Sequence, residues 1–98
     1  MEEDYIKLIF GLKLKQLRTA KGLSLFGLSK LTGLSKSYLN EIEKGKKYPK
    51  PDKIVTLSEK LDVPYDQIVS LKLDKNLAPI GEILKSKILK EIPLEVFG

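Results

Sequence analysis

The chain has 98 residues, enough for one small domain, and 42% of them are apolar. It contains no Cys and no His, which excludes thiolate and imidazole nucleophiles, Ser-His-Asp triads and Cys/His zinc sites. The net charge of +5 is uneven: Gly11 to Lys53 hold 11 Lys or Arg against 3 acids, a local +8, while the flanks are net −3.

A basic middle between acidic flanks is an electrostatic footprint for a polyanion, although a solvated Lys-rich surface has the same composition. No apolar run approaches the roughly 20 residues of a membrane-spanning helix. The opening MEEDYIKLIF is acidic, whereas a signal peptide opens on basic residues. With the absence of Cys, this sets the expectation of a soluble, cytoplasmic, nucleoid-associated chain with no membrane partner.

In chain order, Met1 to Asp4 reads as a frayed end. From Tyr5 to Lys21, Ile6, Ile9, Phe10, Leu14 and Leu17 recur at helical spacing. Gly11 interrupts this helix at a cost of about 1 kcal/mol relative to Ala, with no compensation visible in the sequence. Gly22 follows as a stop. Ser24 caps a second helix ending at Leu31, with Leu28 and Leu31 as core candidates, and Gly33 ends it. Ser35 caps a third helix to about Lys44, and Gly45 ends that. Leu34, Leu39 and Ile42 would hold the third helix to a core. Lys36, Ser37, Asn40, Glu41 and Lys44 would face outward.

Tyr48-Pro-Lys-Pro is an extended connector, and Pro51 fits the first position of a fourth helix. Ile54, Leu57 and Leu61 mark its buried face, and Val63-Pro64 breaks it. A fifth helix is expected from Pro64 to Leu71. Residues 1–73 thus read as one domain. Residues 74–98 read as an extension with a sixth, amphipathic helix from Pro79 to about Glu91. Its stripe of Ile80, Ile83, Leu84, Ile88 and Ile92 is a candidate dimerisation face, or a cover for the core. The chain ends on the apolar run Pro93-Leu-Glu-Val-Phe-Gly, which suggests a fragment whose further region would meet an effector or partner protein. Catalysis is not expected. Glu41 and Glu43 are two apart on a helix and point in different directions, and no cofactor or metal site is evident.

The second and third helices, joined by Thr32-Gly33-Leu34, form a helix-turn-helix candidate over residues 24–44, with residues 35–44 as the recognition helix. The helices must cross through Leu28, Leu31, Leu39 and Ile42. The third must keep a slim polar face for a major groove about 12 Å wide. The segments LKQLRTAKGLS, LSKLTGLSKSYLNEIEKGKKYP and DKIVTLSEKLDV resemble the Xre or lambda-repressor-like family of helix-turn-helix DNA-binding domains, from about Phe10 to Leu71.

That resemblance implies a five-helix, all-α domain that binds a double-stranded DNA operator as a homodimer and regulates transcription in bacteria or phage. It places Ser35, Lys36 and Ser37 at base edges, with Asn40 and Glu41 one turn further along. It implies phosphate contacts from Ser24, Lys44, Lys46 and Lys47, and an internal ion pair between Arg18 and Glu43. The chain departs from the pattern at Leu25, where relatives often carry a DNA-contacting glutamine, and at Phe26 and Gly27. Leu25-Phe26 would instead pack near Tyr5 and Ile9. Ser29 stands where alanine is usual. The alternative is a protein-interaction or antitoxin-type module that uses the same fold and the apolar last helix.

Overall fold

A computed structural model of the chain describes residues 2–71, with side chains from Asp4 onward. The sixth helix and the stripe Ile80, Ile83, Leu84, Ile88 and Ile92 lie outside the described residues. Within them the chain is all-helical: α1 (Glu2–Ala20), α2 (Leu25–Thr32), α3 (Lys36–Glu43), α4 (Pro51–Lys60) and α5 (Tyr65–Val69). Phe10 and Leu14 of α1, Leu28 of α2, Leu39 and Ile42 of α3, Ile54, Leu57 and Leu61 around α4 and Ile68 of α5 form one buried cluster. α1 packs on α3 and α5, and α2 packs on α3 and α4. Every helix therefore has its apolar stripe covered, the condition for short helices to persist.

The ends follow local chemistry. Ser24 and Ser35 cap α2 and α3, their hydroxyl oxygens accepting from the Gly27 and Tyr38 amides at 2.9 and 3.0 Å. α3 stops by a paired motif in which the Lys46 and Gly45 amides reach back to the Glu41 and Ile42 carbonyls at 2.9 and 3.0 Å. Gly45 sits at φ +76 there.

Four expectations are corrected. α1 begins at Glu2, not after a frayed start. The opening acids form its first turn, where negative charge favours a helix N-terminus. Leu31 is 42% exposed. At about 100° per residue the inward face of α2 centres between Leu25, Leu28 and Thr32, so Leu31 falls to its edge. α4 ends at Lys60 and is closed off at Asp62, before Val63-Pro64 is reached. Asp62 is left-handed at φ 56, and the Val63 and Asp62 amides close back on the Ser58 and Glu59 carbonyls. An aspartate tolerates that conformation better than most side chains. α5 is shorter than expected, with Pro64 before its first residue.

Lys13 explains how so short a helix is closed. It follows Ile9 by one turn and precedes Leu17 by another, so helical spacing turns it inward, and it is 6% exposed. Its ammonium donates to the Gln67 and Ser70 carbonyls at 2.9 and 2.7 Å, capping the end of α5. Burial lowers its pKa from the usual 10.5. A group with a depressed folded pKa stabilises the fold increasingly as pH rises through that value to 10.5, because the unfolded chain binds more protons in that window. Tyr48 acts oppositely. Its pKa is raised above 10.0 by burial and then by Tyr65, so its contribution is lost as pH climbs through the folded value. Urea unfolding of the wild type and of Lys13→Met, which shares Tyr48, separates the two. The stability difference is expected to shift toward the wild type as pH rises toward 10.5.

Candidate nucleic-acid interface

The outward face of α3 is built on a fixed seat. Leu39 and Ile42 are fully buried, and Leu34 and Tyr38 pack against the same core. The turn before α3 is pinned from α2: the Ser29 hydroxyl donates to the Leu34 carbonyl at 2.6 Å, and Gly33 takes φ +79. A hydroxyl is useful where Ser29 stands because α2 and the turn meet there. Alanine would leave that hydrogen bond unmade.

On the far side, Glu43 receives two hydrogen bonds from Arg18, Nε to Oε2 at 2.7 Å and Nη2 to Oε1 at 3.0 Å. Arg18 Nη1 also donates to the Leu23 carbonyl at 2.8 Å. One guanidinium thus joins α1, the α1–α2 connection and the end of α3. The side chains are only 11% and 6% exposed. A planar fork suits two carboxylate oxygens and a carbonyl at once, which a lysine would not reproduce.

Gly11 supplies the third part of the seat. A Cβ there would overlap the Ile42 carbonyl oxygen and lie 2.9 Å from that of Glu43. The main chains of α1 and α3 therefore touch at this point. That close approach is what offsets the poor helix propensity of the glycine.

The candidate contact residues distribute as follows. Ser35, Lys36 and Ser37 are all exposed at the start of α3. Asn40 and Glu41 are half-buried on the next turn. Ser24 is exposed at the start of α2, and Lys44, Lys46 and Lys47 are exposed at and beyond the end of α3. Lys47 folds back onto α3. Its ammonium lies 3.3 Å from Glu41 Oε1 and 5.6 Å from the centroid of the Tyr38 ring. This group is not legible in the sequence, because a helix residue and a loop residue six positions later have no fixed neighbourhood.

At the start of α2, Leu25 turns in and packs against the core. Phe26 is 60% exposed, with the Lys30 ammonium 5.2 Å from its ring centroid. Phe26, expected to pack near Tyr5 and Ile9, is thus largely in solvent. Lys30 stands one turn along the same helix. Tyr48 packs edge-on against Phe10, centroids 5.1 Å apart, and so holds the basic loop to α1. Among the described residues there is no cluster of potential metal ligands and no helix long and apolar enough to cross a membrane.

Comparison with known proteins agrees with this geometry. The helix-turn-helix family HTH_3 matches residues 14–68. An uncharacterised HTH-type transcriptional regulator of Bacillus subtilis, RghRB, is 37% identical over 62 residues. Those residues are 62% of this chain and 45% of that protein, so the chain spans less than half the length of this relative. The restriction-modification controller protein C.AhdI of Aeromonas hydrophila superimposes with a TM-score of 0.61 at 37% identity, over 63% of this chain and 94% of that one. An HTH_3 family transcriptional regulator from Vibrio cholerae gives a TM-score of 0.64 at 30% identity, over 67% of this chain and 37% of that one.

Proposed function

The chain belongs to the helix-turn-helix family, a family of DNA-binding regulators, and we propose from that premise that it binds a specific double-stranded DNA site to regulate transcription. α3 lies in the major groove. Ser35, Lys36, Ser37 and Asn40 meet base edges, and Lys44, Lys46 and Lys47 meet phosphates with Ser24. Two copies bind a palindromic operator with half-sites about one helical turn apart, roughly 34 Å.

The observation that carries this reading is the division of labour along α3. Its inward residues Leu39 and Ile42 are fully buried, while Ser35, Lys36 and Ser37 at its start are small or flexible polar side chains in solvent. Ser35 uses one lone pair on the helix cap, which leaves its O–H as a donor. Lys36 suits guanine O6 and N7, and Asn40 suits adenine. A helix built for solubility alone needs no such slim end beside a basic loop.

Selection of bound sites from random DNA tests the proposal. Lys36→Ala is expected to cost about 1–3 kcal/mol on the selected site and to relax preference at one base position. Lys47→Ala is expected to weaken binding to all sequences and to flatten the salt dependence by about one unit of slope. If selection with the wild type enriches no sequence, the chain is not a sequence-specific DNA reader.

A further inference from the structure

We propose that Glu41 is an internal stand-in for phosphate that holds Lys47 in the DNA-free domain and couples the release of that lysine to the base beneath it. This rests on the DNA-binding reading above.

Glu41 and Tyr38 are three residues apart on α3, so they stand side by side on one face. Lys47 comes back from the loop and lies across both, 3.3 Å from the carboxylate and 5.6 Å from the ring centroid. The loop is fixed in that position by the main-chain closure at Gly45 and Lys46 and by Tyr48 against Phe10. The ammonium is thus a phosphate-binding group already facing an oxyanion. Lys47 and Glu41 side chains are 53% and 41% exposed, so the pair is open to exchange and weak enough to be displaced.

On DNA the ammonium moves to a phosphate oxygen and the carboxylate is left in the groove. There its fate depends on sequence. Over an exocyclic amino group, such as N4 of cytosine, the carboxylate accepts a hydrogen bond and the exchange is compensated. Over a carbonyl or a methyl group it has no donor and faces the phosphates uncompensated. The backbone grip of Lys47 is therefore strongest where Glu41 finds a base donor. Glu41 in this way opposes nonspecific binding more than specific binding.

The test uses the full chain with two probes: a duplex recovered by selection from random-sequence DNA, and a scrambled duplex of the same composition. Glu41→Gln is expected to tighten binding to the scrambled duplex by about 1.4- to five-fold, the range of an exposed ion pair. Its affinity for the selected duplex is expected to stay level or fall, so the specificity ratio shrinks. In a Lys47→Met background the gain on scrambled DNA is expected to disappear. A gain of equal size in that background means that Glu41 acts by general charge repulsion and overturns the proposal. Equal gains on both duplexes overturn it as well. Failure of the wild type to prefer the selected duplex would instead remove the DNA-reading premise.

Discussion

Gly11→Ala is expected to destabilise the fold by about 1–3 kcal/mol, the usual cost of forcing extra atoms into a packed contact. Helix propensity alone points the other way, favouring alanine by about 1 kcal/mol in a helix interior. The structure reverses the sign because the new methyl would meet main chain, the carbonyl oxygens of Ile42 and Glu43. A backbone cannot turn aside as a flexible side chain can, so α1 and α3 must separate. Urea unfolding of the two proteins decides between propensity and packing. If the alanine variant is as stable as the wild type, the close approach is not a constraint. Because α3 itself is displaced, DNA affinity is expected to fall with stability.

Glu43→Ala is expected to cost more, about 3–5 kcal/mol, the range found when one partner of a buried ion pair is removed. The Arg18 guanidinium would remain almost out of solvent with only the Leu23 carbonyl to satisfy it. The penalty comes chiefly from that stranded charge and less from the attraction lost. Arg18→Met combined with Glu43→Leu is therefore expected to recover much of the stability, since neither polar group is then buried unpaired. Denaturant midpoints of the single and double variants check both statements. A Glu43→Ala loss below about 1 kcal/mol, typical of exposed pairs, would show that the pair braces nothing.

The elements that could be read from the sequence are those governed by local rules. Ser24 and Ser35 are caps because a small hydroxyl precedes an apolar-periodic run, and Gly45 is a stop because the run ends before it. Lys36 and Ser37 are outward because Leu39 and Ile42 fix the inward face of α3. The family resemblance supplied the Arg18–Glu43 partnership, which no local rule contains. What escaped depends on where a second element lies. Gly11 makes sense only once the carbonyls of α3 are opposite it. Lys13 is spaced like a core residue, yet its acceptors come from residues 67 and 70. Leu31 falls inward when placed by Leu28 alone, and only the joint position of Leu25 and Thr32 turns it out. Asp62 is masked in the sequence by Pro64, which two residues later is a sufficient helix stop by itself.

The three attachments of α3 have a consequence for rewriting the protein. Its seat consists of a main-chain contact at Gly11, the apolar side chains of Leu39 and Ile42, and the Glu43 carboxylate. Lys36, Ser37 and Asn40 take no part in it. Their identities are therefore uncoupled from the angle at which the helix is presented. Side chains at those three positions are expected to be exchangeable as a set without repacking the domain, so that, under the proposed base reading, a library varied only there would explore new target sequences on an unchanged scaffold.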